Sequence, residues 1–291
     1  MKKKLIWRGA ATALITPMKD GKIDFDALSR LIDMQIDGKI SALVIGGTTA
    51  EAATLSDDER YEIFSFSKEK TRGRVKLIFG TGTNDTRLAL SHTRMANEIG
   101  CDGILVVTPY YNKGTYRGVS EHYKEIAKES EAPVILYNVP SRTGVNLTLK
   151  QLEELSAVEN IVAIKEACDS ADRLLEISRF GDELYLYAGN DSQIYTTLAL
   201  GGMGVISVAS NLYPERISRL CQSYFEGNVK FALSEQQRLL DFINLMFKET
   251  NPVPIKYAMS LLGLCSAEVR LPLFEAENAT RTAIKEAISK L

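Results

Sequence analysis

NIVAIKEA, residues 160–167, has the pattern of a buried strand that leads into a lysine. Near-continuous apolar runs of this length are typical of parallel strands that are buried on both faces. An ammonium is costly to bury, so we expect desolvation to lower the pKa of Lys165 and leave an amine that can attack a carbonyl. On this segment alone, a lysine that reaches solvent from the strand end is the simpler interpretation. The rest of the chain is therefore needed to choose between a buried reactive lysine and one that reaches solvent.

Seven further apolar runs repeat this pattern, and each is followed by an amphipathic stretch. In chain order the eight runs are 9–15, 42–45, 75–79, 103–107, 134–137, 161–165, 184–188 and 205–208. Helix start signals lie between the runs, such as the capping box that begins at Ser56. Eight strand–helix units predict an α/β fold of the (β/α)8 TIM barrel type. An open doubly wound sheet is the alternative, although the turn at 16–21 lacks the GxGxxG pattern of its dinucleotide-binding form.

The end of the chain follows a different pattern, because it contains no further strand signal after the eighth run. Helical patterns cover 212–225, 229–249, 253–263 and 273–290, and glycine or proline residues separate them. We therefore predict two domains, a catalytic (β/α)8 barrel over residues 1–224 and a C-terminal helical extension over residues 225–291.

Composition and charge exclude several functional classes. The 291 residues are 45% apolar and 25% charged, which is ordinary for a globular protein. A net charge of −2 gives no indication of a nucleic-acid partner. No apolar run approaches the roughly 20 residues that cross a bilayer, and the opening apolar stretch is too short for a signal peptide. We expect no membrane partner and a cytoplasmic location.

The cysteines and histidines do not form a recognisable metal or redox motif. No CxxC pair exists, so we predict neither a zinc site nor a redox centre. We expect the four cysteines to fill buried gaps as small apolar side chains: Cys101, Cys168, Cys221 and Cys265. His92 and His122 lie in amphipathic helical stretches and are expected to be surface or packing residues. Acid–base chemistry would then fall to tyrosine, lysine or carboxylate groups.

The residues that follow the predicted strands share one chemical theme, and in a TIM barrel these strand ends build the active site. The loop GGTTAE at 46–51 offers backbone N–H groups and two hydroxyls to an anion. Tyrosines stand at 110–111, Tyr137 ends the fifth run, and Arg142 offers a bidentate fork to a carboxylate. Singly, these features also fit a capped turn, packing tyrosines and a surface ion pair. Together with Lys165 they suit a small keto acid that is held as an imine.

In combination, these residues resemble the dihydrodipicolinate synthase (4-hydroxy-tetrahydrodipicolinate synthase) family, within the N-acetylneuraminate lyase superfamily of class I pyruvate-dependent aldolases. The motifs that carry the resemblance are GTTAE at 47–51, YYNK at 110–113, YNVPSRTG at 137–144, IKE at 164–166 and GVIS at 204–207. The resemblance covers nearly the whole chain, including the helical tail. It implies a lyase that condenses pyruvate with L-aspartate 4-semialdehyde in the first committed step of lysine (diaminopimelate) biosynthesis, without a metal or other cofactor.

The resemblance also implies which residues carry out the reaction. Lys165 would form the imine with pyruvate, and Tyr137 would shuttle protons. Thr48 would relay protons between Tyr137 and Tyr111. In the family Tyr111 comes from a second subunit, so the resemblance implies a homotetramer (a dimer of dimers) or a homodimer.

Substrate binding is assigned by the same resemblance. Thr49, together with Thr48, would hold the carboxylate of pyruvate. Arg142 would bind the carboxylate of the semialdehyde. Gly189 and the backbone carbonyl of Ile206 would complete the pocket.

Two positions depart from the family pattern. Ala50 replaces a glycine in the GTTAE loop, and a glycine at such a turn can be needed for a positive φ. Leu88 stands where lysine-inhibited members carry a carboxylate, so we hypothesise weak or absent feedback by lysine. Two alternatives stay open at this point: a sister aldolase that cleaves sialic acid or a keto-deoxy sugar acid, and a barrel that binds a keto acid without turnover.

Overall fold

Eight parallel strands form a closed barrel in the computed structural model, which describes residues 2–290. The barrel strands are β1 (Gly9–Ala13), β4 (Ala42–Ile45), β5 (Lys76–Gly80), β6 (Gly103–Val107), β7 (Val134–Asn138), β8 (Ile161–Glu166), β9 (Tyr185–Ala188) and β10 (Gly204–Ser207). Their order around the barrel is β1-β10-β9-β8-β7-β6-β5-β4. The predicted (β/α)8 TIM barrel and its eight strands are confirmed, and the open-sheet alternative is wrong. A hairpin of β2 (Met18–Lys19) and β3 (Lys22–Ile23) was not predicted.

Helices follow the barrel strands. They are α1 (Phe25–Asp37), α2 (Asp57–Thr71), α3 (Thr86–Ile99), α4 (Tyr116–Glu129), α5 (Pro140–Thr143), α6 (Leu149–Ser156), α7 (Ala171–Ser178), α8 (Ile194–Ala199), α9 (Pro214–Phe225), α10 (Val229–Leu245), α11 (Val253–Leu261) and α12 (Asn278–Ile288). The capping box predicted at Ser56 is present, because its hydroxyl accepts from the Glu59 N–H and the Glu59 carboxylate accepts from the Ser56 N–H. No helix within residues 2–290 is both long and apolar enough to span a membrane.

The chain packs as two compact units. One unit contains the residues up to Gly9 together with 76–206, and the other contains 10–75 together with the residues from Ser207 onward. As far as the structure describes the chain beyond Ser207, it holds helices and no strand, in agreement with the four helices predicted there. The predicted division into a barrel over 1–224 and a C-terminal helical extension over 225–291 stays a prediction.

The first and last barrel strands approach each other closely at two glycines. The Gly9 N–H donates to the Met203 carbonyl at 2.8 Å. A Cβ atom at Gly204 would overlap the Gly9 carbonyl oxygen, and Gly204 has a φ of +150°. Only glycine fits this point, because a side chain would have to displace backbone rather than the tip of a flexible neighbour.

Replacing Gly204 with alanine should therefore weaken the fold. We expect Gly204→Ala to lower the free energy of unfolding by about 3 kcal/mol, at the upper end of overpacking costs. Gly201→Ala is the matched control, because Gly201 also has a positive φ but a Cβ atom there would have no neighbour within 4 Å. Its cost should be backbone strain alone, about 1 kcal/mol. Urea denaturation measures both, and equal losses would contradict the close-approach explanation.

Candidate active site

Lys165 and Tyr137 lie opposite each other on the neighbouring strands β8 and β7. The Lys165 Nζ atom is 4.3 Å from the centroid of the Tyr137 ring. Their exposed fractions are 5% and 7%, so the buried strand-end position predicted for Lys165 is confirmed. A buried amine beside a phenol brings a nucleophile and a proton-transfer group to one point.

The residues that follow this pair in each strand fix its register. Side chains alternate between the two faces of a strand, so Asn138 and Glu166 face away from Tyr137 and Lys165. They also stand opposite each other. Asn138 Nδ2 donates to Glu166 Oε1 and Oε2 at 2.9 and 3.0 Å. A slip by one residue would break these bonds and move Lys165 to the other face of the sheet.

Glu166 is held in a buried polar cluster. Its carboxylate is 3.6 Å from Arg173 Nε, and the Arg173 guanidinium donates to the Leu147 carbonyl at 2.5 Å. The Leu147 N–H in turn donates to Asn138 Oδ1 at 3.1 Å. Burial raises the pKa of Glu166, while the hydrogen bond from Asn138 and the charge of Arg173 oppose that shift. This cluster ties the ends of β7 and β8 to the loop that follows α5.

Cys168 lies close to this cluster but is poorly suited to a nucleophilic role. Burial, followed by the negative charge of Glu166, raises the pKa of the Cys168 thiol to about 11. A thiol with so high a pKa stays protonated at neutral pH, and the thiolate is the nucleophilic form. The sequence assigned no catalytic role to Cys168, and its environment agrees with that.

The ends of β9 and β10 present Gly189 and Ile206. The Gly189 N–H donates to the Glu166 carbonyl at 2.7 Å, and a Cβ atom at Gly189 would lie 2.6 Å from the Ala167 Cβ. Glycine is therefore required for the close approach to the end of β8. Ile206 is fully buried within β10.

Two predicted site residues, Arg142 and Tyr111, are exposed to solvent. Arg142 lies on the exposed side of α5, which begins at Pro140 and ends before Gly144. Tyr111 is 88% exposed and has a φ of +71°, a strained backbone conformation for a bulky residue. Within one subunit the Tyr111 side chain does not share the buried environment of Tyr137.

The loop GTTAE belongs to the other compact unit and is sharply turned. It contains a 3-10 helix, Thr48–Ala50, in which Thr48 is half-buried and Thr49 is buried. Positive φ angles occur at Gly46 and Glu51 and not at Ala50. The loop therefore accommodates Ala50 without the backbone strain that its replacement of a glycine suggested.

Two residues that follow 202 and 205 positions later in the chain contact this loop. Asn251 Nδ2 donates to Thr49 Oγ1 at 2.9 Å. Lys256 Nζ lies 2.6 Å from Glu51 Oε1, and both side chains are buried. Sequence reasoning missed these contacts, because it interpreted the prolines at 252 and 254 only as a helix break. One usable signal was a lysine inside the otherwise apolar stretch 252–259.

No group of three or more His, Cys, Asp or Glu side chains that could hold a metal ion occurs in the part of the chain that the structure describes. The two histidines are buried on helices, where they pack as expected. Burial lowers the pKa of His122 to about 4, so His122 is neutral near pH 7.

Known proteins resemble this chain over nearly its full length. A family model described as the dihydrodipicolinate synthetase family matches residues 7–291. The 4-hydroxy-tetrahydrodipicolinate synthase of Alkaliphilus oremlandii is 46% identical over 286 residues, which are 98% of this chain and 99% of the relative. The enzyme of the same name from Clostridium novyi is 43% identical over 97% of this chain and 96% of its own.

Solved structures agree with these relatives. The dihydrodipicolinate synthase of Thermotoga maritima superposes with a TM-score of 0.96 at 36% identity, covering 98% of this chain and 99% of its own. The enzyme of Acinetobacter baumannii, solved in complex with pyruvate, gives a TM-score of 0.94 at 36% identity over 97% and 98%. A variant described as the first monomeric dihydrodipicolinate synthase gives 0.95 at 36% identity over 98% and 97%.

Replacing Asn138 with leucine should disturb the register of the Lys165 and Tyr137 pair. The Asn138→Leu variant removes the two hydrogen bonds from Asn138 to the buried Glu166 carboxylate, together with those that Asn138 makes to Asn146 Oδ1 and to the Leu147 N–H. We expect a loss of about 3 kcal/mol in the free energy of unfolding, since bonds to a buried charge are the costly ones to lose.

The control is Asn97→Leu in the same unit, which removes two hydrogen bonds to backbone groups: Asn97 Nδ2 donates to the Glu129 carbonyl, and the Glu131 N–H donates to Asn97 Oδ1. We expect it to cost about 1 kcal/mol, because the bonds that it removes involve only neutral groups. Denaturant unfolding of both variants measures the difference. Equal destabilisation would contradict the special role of the pair formed by Asn138 and Glu166.

Proposed function

Because this chain belongs to the dihydrodipicolinate synthetase family, we propose that Lys165 carries pyruvate as an imine in its reaction with L-aspartate 4-semialdehyde. The enzyme is a lyase of class I aldolase mechanism, a 4-hydroxy-tetrahydrodipicolinate synthase of lysine (diaminopimelate) biosynthesis. The observation that carries the assignment to Lys165 is its burial at the end of β8, 4.3 Å from the Tyr137 ring. A sister aldolase is not retained, because the full-length relatives from Alkaliphilus oremlandii and Clostridium novyi are synthases.

The proposed chemistry begins when Lys165 Nζ attacks the keto carbon of pyruvate and water leaves, which gives the imine. Loss of a proton from the methyl group then gives an enamine, whose carbon forms the new bond to the aldehyde carbon of the semialdehyde. Cyclisation through the semialdehyde amine releases the Lys165 amine. This sequence is complete with the two substrates and the lysine, so we propose that no cofactor takes part.

Proton transfer in this scheme is proposed to run through Tyr137 and Thr48. A free phenol has a pKa of about 10 and is a slow shuttle when it acts alone. A chain of hydroxyl groups helps, because each group accepts one proton as it releases another and no full charge develops. The position of Tyr137 beside the Lys165 amine supports its part in this chain.

Two carboxylates have to be held, one on each substrate. We propose that the hydroxyls and backbone N–H groups of Thr48 and Thr49 bind the carboxylate of pyruvate. Arg142 would bind the carboxylate of the semialdehyde through its planar fork, and its exposed position on α5 suits contact with an incoming substrate. Gly189 and the Ile206 carbonyl would complete the pocket.

Tyr111 is proposed to act in the site of a second subunit, where it would receive protons from Thr48. Its exposure and its strained backbone support this proposal, since such strain persists where the surroundings need it. The active form would then be a homodimer or a dimer of dimers. A cytoplasmic location stays a prediction.

Borohydride reduction in the presence of pyruvate tests the central proposal. Intact-mass spectrometry should show one pyruvyl adduct per chain, and peptide mapping should place it on Lys165. Adding L-aspartate 4-semialdehyde before the reductant should deplete the adduct and yield the cyclic product. Lys165→Met is the control that should give no adduct. An adduct on another lysine, or one that the semialdehyde leaves unchanged, would contradict the assignment.

Subunit mixing tests the proposed role of Tyr111. Tyr111→Phe and Lys165→Met should each be nearly inactive alone. In a mixed dimer, one site receives an intact Lys165 and an intact Tyr111 from different chains. Random pairing then restores about a quarter of wild-type activity, since half of the dimers carry one complete site in two. Co-expressed chains with two tags allow the mixed species to be purified, and no recovery in that species would contradict the proposal.

A further inference from the structure

Glu51 is the charged member of the GTTAE motif, the reaction gives it no role, and its conformation is unusual. Its backbone is left-handed, with φ 58° and ψ 38°, and its carboxylate is buried. A non-glycine residue in this region carries backbone strain and keeps this conformation only where surrounding contacts hold it. The contacts that hold Glu51 therefore also hold the 3-10 turn that precedes it.

Both carboxylate oxygens of Glu51 are bound by the C-terminal helical segment. Lys256 Nζ is 2.6 Å from Oε1, and the Arg270 backbone N–H donates to Oε2 at 2.8 Å. The Lys256 side chain is completely buried. Burial lowers the pKa of Lys256, and the charge of Glu51 opposes that shift. Removing one partner of such a pair leaves a buried charge, so the pair constrains the loop strongly.

A second contact acts on the hydroxyl proposed to bind substrate. Asn251 Nδ2 donates to Thr49 Oγ1 at 2.9 Å, and both residues are buried. A threonine hydroxyl has one hydrogen to donate and two lone pairs. Because Asn251 supplies a donor to one lone pair, the hydrogen of the Thr49 hydroxyl is directed elsewhere and is available to an anion.

We propose that Asn251 and Lys256 are positioning residues for pyruvate binding. Lys256 holds the loop through Glu51, and Asn251 orients the Thr49 hydroxyl as a donor to the pyruvate carboxylate. The inference rests on the proposed function, in which this loop binds that carboxylate. Lys256, on α11, and Asn251, just before α11, would then support the substrate site, although neither side chain touches the reacting atoms.

The first test changes the direction of the bond at Thr49. In Asn251→Asp the new carboxylate can only accept, so the Thr49 hydroxyl donates to it and its hydrogen is lost to substrate. We expect the KM for pyruvate to rise about tenfold or more, while kcat and the KM for the semialdehyde change by less than about twofold. An unchanged KM for pyruvate, or a fall confined to kcat, would overturn the role of Asn251.

The second test removes the ion pair without leaving a buried charge. Lys256→Met alone would strand the Glu51 carboxylate and can prevent folding. The double variant Glu51→Gln with Lys256→Met removes both charges at similar volume, so we expect a melting temperature close to that of the wild type. The loop nevertheless loses its strongest contact, and we expect the KM for pyruvate to rise about tenfold. A stable double variant with an unchanged KM would overturn the role of Lys256.

The matched control is Arg216→Met with Glu235→Gln, which removes another ion pair of the same unit, 2.5 Å long, between α9 and α10. We expect its KM for pyruvate to equal that of the wild type, and an equal rise there would mean that loss of packing alone explains the effect.

The half-saturating pyruvate concentration for borohydride trapping separates the failure of this inference from the failure of the proposed function. Wild-type protein without an adduct would refute the proposed function, whereas trapping that saturates equally in all variants would refute this inference alone.

Discussion

The pairing of β7 with β8 is the constraint on which the rest of the site depends. Its register sets Lys165 beside Tyr137 and, on the opposite face, Glu166 beside Asn138. Burying the Lys165 amine and the Tyr137 hydroxyl is costly, because both are polar groups. The hydrogen bonds from Asn138 to Glu166 on one face of the two strands therefore fix the register that sets Lys165 beside Tyr137 on the other face. A chemical site is held in place here by polar groups that do not take part in the chemistry.

Two glycines allow neighbouring parts of the barrel to approach each other closely. Gly204 allows the last barrel strand to approach Gly9, and Gly189 allows the loop after β9 to approach the end of β8. In both places a Cβ atom would meet backbone, which cannot move aside as a flexible side chain can. Gly189 keeps the C-terminal ends of β8 and β9 close, and closely spaced C-terminal strand ends bring the functional loops of a barrel together. Gly9 and Gly204 begin β1 and β10, so their close approach closes the barrel at the opposite, N-terminal edge of the strands.

The C-terminal helical segment forms hydrogen bonds and an ion pair with the GTTAE loop. Asn251 and Lys256 bind residues of the GTTAE loop that stand 202 and 205 positions earlier in the chain, and Arg270 binds Glu51 through its backbone. The left-handed turn at Glu51 is stable because both of its carboxylate oxygens have donors. The left-handed conformation at position 51 is thus held by tertiary contacts and not by a glycine at that position.

The barrel and its eight strands could be predicted from the sequence alone, and the assignment of Lys165 as the reactive lysine stays a prediction. Continuous apolar runs such as 160–167 are local signals, and motif residues around Lys165, Tyr137 and Arg142 can be read without coordinates. The partners of the buried polar side chains near these residues and in the GTTAE loop became known only from the folded chain. They are Asn138 for Glu166, Lys256 for Glu51 and Asn251 for Thr49. These pairs join residues 28, 205 and 202 positions apart, and no local pattern encodes such a contact. Polar groups forced out of water must pair with whatever the fold brings near them, so their partners become known only when the chain is folded.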